Sequence, residues 1–222
     1  MTRNGEQYAT IESVEQLREI YGEAGHRAQT KERIALHPRD RQWLAASPLV
    51  MLGTCDEDGR CDVSPKGDPA GSLVHIIDDR TIAIPDRPGN RRIDGFRNII
   101  ANPYVGMNFV IPGRIETLRI NGHARLVSDA PFFDALIVKG HRPRLAMIVD
   151  IETIFFHCGK AFLRSELWKP ETWNPDALPS HACITKDVQD PGMSLEELEA
   201  YYGPAYAKKI YVEAPRIEST VS

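Results

Sequence analysis

Thr117-Leu118-Arg119-Ile120-Asn121-Gly122-His123-Ala124-Arg125-Leu126-Val127 carries the clearest alternation in the chain. Leu118, Ile120, Gly122, Ala124 and Leu126 recur at a period of two, and Thr117, Arg119, Asn121, His123 and Arg125 fill the opposite face. Successive side chains of a strand point to opposite faces, so this stretch reads as a strand with one packed side and one polar, cationic side. Such a strand lines a barrel wall or an oligomer interface. A parallel strand covered on both faces would instead read as continuous apolar sequence.

The same texture extends on both sides. Residues 105–111 pair with this strand across Pro112-Gly113, and residues 145–157 form another long strand, with a short helix over 130–138 between. Upstream, the apolar run 49–54, the turn Asp56-Glu57-Asp58-Gly59 and the return 60–64 predict a β-hairpin. Residues 73–77 and 80–84, split by Asp78-Asp79, predict a second. A helix over 91–101 puts Ile93, Phe96 and Ile100 on one face before Asn102-Pro103 stops it. Hairpins outnumber helices and there is no β-α-β rhythm, so the fold is expected to be mainly β with flanking helices, an antiparallel barrel rather than a doubly wound sheet. No G-x-G-x-x-G follows a strand, which disfavours a Rossmann dinucleotide site.

Helices are expected at both ends. Ser13 with Gln16 and Ser194 with Glu197 have the spacing of a capping box, and each segment ends in glycine, at Gly22 and Gly203. Similar capping chemistry arising twice accounts for the likeness between the two segments. A further helix over 38–47 carries Trp43-Leu44 to cover one end of the sheet. The organisation expected is an N-terminal helical extension (1–30), the barrel (31–170) and a C-terminal extension (171–222) with a helix over 194–207.

The totals exclude several function classes. With 222 residues, 42% hydrophobic and 26% charged, the chain has the composition of a globular protein able to bury a sizeable core. A net charge of -4 and dispersed basic residues give no field for nucleic acid. No run approaches the roughly 20 apolar residues of a membrane span, and the polar start lacks an apolar leader core, so a cytoplasmic protein is expected. The four cysteines have no C-x-x-C spacing, and His157-Cys158 and His181-x-Cys183 are weak patterns for zinc; reduced structural thiols are expected instead.

Three stretches carry candidate chemistry. Ile84-Pro85-Asp86-Arg87-Pro88-Gly89-Asn90-Arg91-Arg92 sets two arginines at the expected start of a helix, where the macrodipole makes cations unfavourable by roughly a few tenths of a kcal/mol. A bound anion reverses that sign. Gly89 allows close backbone approach, Asn90 can cap, and the two guanidinium forks suit a phosphate. The same residues taken alone also describe a solvated basic helix start after a Pro-Gly turn. Ser64-Pro65-Lys66-Gly67-Asp68 offers a hydroxyl, an ammonium and glycine-exposed amides for a phosphate or a heterocycle edge; otherwise it is a surface loop with a Lys66–Asp68 pair. A third set, Lys160, Arg164 and Trp168, has i, i+4, i+8 spacing, which on one helix gives two cations and an aromatic plane, or simply an amphipathic surface helix.

In this order, Ser64 to Asp68, Ile84 to Arg92 with Asn98, Pro112-Gly113 through Thr117-Leu118-Arg119-Ile120-Asn121-Gly122, and His157 to Trp168 resemble the pyridoxamine 5′-phosphate oxidase-like, FMN-binding split-barrel family. The likeness runs over about residues 30–170 and is strongest to its branch of FMN-dependent enzymes of unassigned substrate. It implies a six-stranded antiparallel split β-barrel, a homodimer, and one FMN at each end of the dimer interface, contacted by both subunits. By position, Ser64, Lys66, Asn90, Arg91 and Arg92, with Gly67 beside them, would hold the phosphate and ribityl chain. Pro65, Ile84 and Pro85 would line the flavin, and Thr117 would approach the ring. Lys160, Arg164 and Trp168 would come from the partner subunit.

The chain departs from the oxidase itself. That enzyme has R-x-V-L-L-K where Asp62-Val63-Ser64-Pro65-Lys66 stands here, and its closing Arg-x-His element is replaced by Val212-Glu213-Ala214-Pro215-Arg216-Ile217, so pyridoxamine phosphate is not the expected substrate. The resemblance implies an FMN-dependent oxidoreductase acting on a small molecule. Flavin performs the redox step at its ring, so no catalytic side chain is assigned; Lys66, Arg119 or Lys160 could stabilise the negative charge of the reduced ring. The alternatives are a non-catalytic flavin- or haem-binding barrel and a deazaflavin-dependent reductase. A hydrolase using Cys158 with His157 is disfavoured, because adjacent residues rarely face each other.

Overall fold

The strands of this chain all run antiparallel, and their alternation decides which face packs. The computed structural model describes residues 8–212, so the terminal element at 213–217 lies outside the described residues. The chain divides into two compact units, Met1–Glu32 and Arg33–Ser222.

In the first unit, α1 (Val14–Tyr21) is followed by the single turn α2 (His26–Gln29). Ser13 Oγ accepts from the Gln16 N–H, but the Gln16 side chain accepts from the N–H of Glu12, one residue upstream of the reciprocal bond a capping box makes. Gly22, at φ 67, ends the helix.

The second unit holds α3 (Pro38–Ala46), β1 (Leu49–Cys55), β2 (Cys61–Gly67), β3 (His75–Ile76), β4 (Thr81–Pro85), α4 (Asp94–Ala101), β5 (Tyr104–Val110), β6 (Thr117–Val127), β7 (Ala146–His157), α5 (Lys160–Ser165), α6 (His181–Val188) and α7 (Leu195–Tyr201). The strand order is β2-β1-β5-β6-β7-β4-β3, every pairing antiparallel, in one open sheet. The antiparallel split-barrel class expected from the sequence holds, with β3 as a two-residue seventh strand at one edge. The β1–β2 turn is a three-residue loop with Gly59 at φ 79, the position that favours glycine in such hairpins.

Along β6, Leu118, Ile120 and Ala124 enter the core while Arg119 and Arg125 face out. Valines, leucines and isoleucines of β1, β4 and β7 fill the same core, covered by Leu44 from α3 and Ile99 from α4. Between Asn121 and Gly122 the register to β7 shifts, so that Asn121 faces Thr153 and Gly122 faces Ile151, leaving Glu152 as a bulge.

Three helical expectations are corrected. The helix expected over 91–101 begins at Asp94, because the Asn90 side chain takes the Arg92 N–H in a local turn and Arg91 adopts φ 61. Asn98 anchors that helix by donating to Thr54 and Asp62, which turns Asn98 and Ile99 inward and leaves Ile93 and Ile100 exposed. The region 130–138 holds only a 3-10 turn, Phe133–Leu136, whose two end residues pack with Ala146 in a small second core. The helix expected over 194–207 has its full capping box at Ser194 and Glu197 but stops at Tyr201, ahead of Gly203-Pro204; a separate 3-10 turn follows at Ala207–Lys209. Among the described residues no helix is long and apolar enough to cross a membrane.

Candidate functional site

β2 and β4 are separated by four strands in the sheet, yet the segments that leave them are tied together by two ion pairs. Arg87 Nε donates to Asp68 Oδ2 at 2.6 Å, and Lys66 Nζ lies 3.9 Å from Asp86 Oδ1. Alternation along β2 turns Ser64, Lys66 and then Asp68 to the same side, while Val63 and Gly67 are exposed. The curl of the open sheet and these crossed pairs bring the two candidate anion segments onto one cavity of about 880 Å³. That volume suits a cofactor-sized ligand, for which roughly 300–1,000 Å³ is usual.

Ser64, Pro65, Lys66 and Gly67 line the cavity from β2, Pro85 from the end of β4, and Asn90 and Arg92 from the loop before α4. The other sequence candidates lie elsewhere in the same chain. Ile84 belongs to the core at 2% exposure, and Thr117 is equally buried at the start of β6, opposite His157. Arg91, at positive φ, is not among the lining residues. Lys160 and Arg164 sit on α5, but Glu166 in the left-handed region ends that helix before Trp168. The single helical face expected for Lys160, Arg164 and Trp168 therefore does not form. Trp168 instead stacks on Phe162 and donates its indole N–H to the Arg114 carbonyl at 2.7 Å.

The cavity wall is polarised. Lys66 Nζ sits 4.9 Å from the centre of the Phe96 ring, and Arg92 Nε donates to Asp94 at 2.7 Å. Burial pushes the Asp86 carboxyl above the usual carboxylate range, against the pull of Lys66. Arg87 also donates through Nη2 to the Leu136 carbonyl at 2.9 Å, while its Nη1 is buried with no hydrogen-bond partner. An orphaned buried guanidinium nitrogen costs free energy until an acceptor meets it. The donor set of hydroxyl, ammonium and guanidiniums, beside the apolar surfaces of Pro65, Pro85 and Phe96, fits a phosphorylated ring compound.

Sequence reasoning missed one wall. Tyr206 and Ile210 line the cavity, and Tyr211 donates to Asp68 Oδ1 at 2.7 Å, so burial and that carboxylate push the Tyr211 hydroxyl up to about 12. Nothing in their spacing signals the contact, which is made across more than a hundred residues. Among the described residues no group of three or more His, Cys, Asp or Glu side chains could hold a metal ion.

A model described as pyridoxamine 5′-phosphate oxidase matches residues 36–158, which span the sheet and all of the cavity-lining segments except Tyr206 and Ile210. The chain belongs to the pyridoxamine 5′-phosphate oxidase family. Solved structures similar to this family member include HupZ of Group A Streptococcus (20% identity, 55% of this chain and 93% of that one, TM-score 0.44). Another is a Clostridium acetobutylicum protein related to general stress protein 26, of the pyridoxinephosphate oxidase family (17%, 54% and 86%, TM-score 0.41). A third is HutZ, the heme storage protein from Vibrio cholerae (14%, 55% and 94%, TM-score 0.40). No curated protein matches the chain.

Proposed function

We propose that this family member binds FMN in the cavity between the β2 and β4 segments and acts, as a homodimer, as an oxidoreductase on a small molecule. The observation that carries the reading is the convergence of the two anion-type segments on one cavity whose wall holds a buried Arg87 Nη1 without an acceptor. Bound FMN would supply the redox centre itself. Ser64, Asn90 and Arg92 offer a hydroxyl, an amide and a planar fork to the phosphate and ribityl oxygens, with Arg91 adjacent. Pro65 and Pro85 present rigid apolar surface to the ring, and Lys66 places a cation against it. In a dimer, Lys160, Arg164 and Trp168 of the second subunit would close the site.

The absorbance spectrum of freshly purified full-length protein tests this, followed by chromatographic identification of what heat releases. FMN is expected. Arg91→Ala with Arg92→Ala should release it while circular dichroism stays unchanged. Colourless protein that takes up no FMN at micromolar concentration overturns the reading. A haem or deazaflavin spectrum replaces the cofactor, and bound flavin with no steady-state reduction by NAD(P)H or another donor favours a carrier over an enzyme.

A further inference from the structure

Cys55 and Cys61 close the β1–β2 hairpin at directly opposed positions. The Asp56 N–H donates to the Arg60 carbonyl at 2.9 Å, so 56 and 60 form the bonded pair and 55 and 61 fall at the next, non-bonded position. There opposed Cα atoms approach to about 4.5 Å, with both side chains on one face. That spacing lies within the roughly 4.4–6.8 Å that a disulfide spans. The two sulfurs are in contact at 3.0 Å, Cys61 is exposed and Cys55 half-buried. The turn between them is acidic: Asp56, Glu57 and Asp58, with Asp62 following, against Arg60 alone.

We infer that Cys55 and Cys61 form a dithiol that reduces small cationic disulfides by thiol–disulfide exchange. The exposed Cys61 sulfur, as thiolate, attacks one sulfur of the disulfide and releases the first thiol. Cys55, as thiolate, then attacks Cys61 Sγ, closes the cross-strand disulfide and releases the second. The two cysteine sulfurs lose two electrons in all, the small disulfide gains them, and the two cysteine protons leave on the two released thiols. Opposed placement lets the second step proceed without backbone movement, and because the contact with Cys61, burial and the neighbouring Asp56 and Asp62 push the Cys55 thiol up, that step speeds as the pH rises. The acidic turn favours a cationic disulfide over an anionic one, an effect that salt weakens.

The test treats reduced full-length protein with cystamine or with oxidised glutathione, quenches with iodoacetamide and maps the tryptic peptides. Cleavage after Arg60 separates the two cysteines, so the expected product is a reductant-sensitive cross-link between peptides 42–60 and 61–66, formed severalfold faster with cystamine. Cys55→Ser should instead stop at a cysteamine adduct on Cys61. A stable adduct on Cys61 with Cys55 still alkylated in the natural protein, or alkylation of both at the untreated level, overturns the dithiol. Equal rates for the two reagents overturn the charge preference.

Discussion

Arg87 Nε and the carboxylate of Asp68 form an ion pair in which the side chains are 11% and 1% exposed, at the wall of the candidate cofactor cavity. Desolvating two charges is costly, and the pair is maintained by the further bonds from Tyr211 to Asp68 and from Arg87 to Leu136. Arg87→Ala strands a buried carboxylate and should cost about 3–5 kcal/mol in urea unfolding of cofactor-free protein. The double variant with Asp68→Ala should lose clearly less than the sum of the two single changes. Additive losses would mean that the pair does not act as a unit.

Tyr211 ties a residue far along the chain to that same carboxylate. Tyr211→Phe deletes one hydrogen bond to a charged acceptor and should cost about 1–2 kcal/mol at pH 8. Its hydroxyl is raised from the ordinary 10 to about 12 in the folded protein. The stability it contributes is therefore complete below pH 10 and is lost as the pH rises through 12. In an ultraviolet titration a late tyrosine step should appear near pH 12, and that step should vanish in the variant.

The strands were legible because alternation is a local signal, and β6 and the β1–β2 hairpin follow it almost residue for residue. Capping at Ser13 and Ser194 was legible for the same reason. What failed depended on competition between local and distant partners. The surface-loop alternative for 64–68 would pair Lys66 with Asp68, but each pairs instead with the β4 exit, at Asp86 and Arg87. Arg91 and Arg92 read as a first helical turn, but the Asn90 side chain captures the backbone before the helix can start. Tyr206, Ile210 and Tyr211 belong to no motif, and only the folded chain brings them to the cavity.

Asp86 should make stability depend on pH in the opposite sense to a well-paired carboxylate. Burial favours its neutral form, so its folded pKa lies above the unfolded value and its ionisation subtracts stability as the pH rises through that folded value. Asp86→Asn should raise Tm at pH 7, the gain shrinking toward zero as the pH falls below the usual carboxylate range. The lost Lys66 contact, long and partly solvated, offsets little of this. A Tm difference that stays constant across the range would refute the assignment to Asp86.

Gly122 marks where β6 and β7 slip in register, and a Cβ there would stand 2.1 Å from the Asp150 carbonyl oxygen. The obstacle is backbone, held in the sheet through the pairings of Asp150 with Thr81 and His123, so no side-chain rotation relieves it. Gly122→Ala must push β7 outward or undo the bulge, and undoing it moves every residue of one strand end to the wrong face. A loss of about 3 kcal/mol or more is expected in urea unfolding, which places this change in the tail reserved for backbone clashes and core disruption. Gly59→Ala, at positive φ in an open turn, should lose only about 1 kcal/mol and serves as the control for conformational strain alone. If the two variants lose equally, the sheet at Gly122 has room that the close approach to Asp150 denies it.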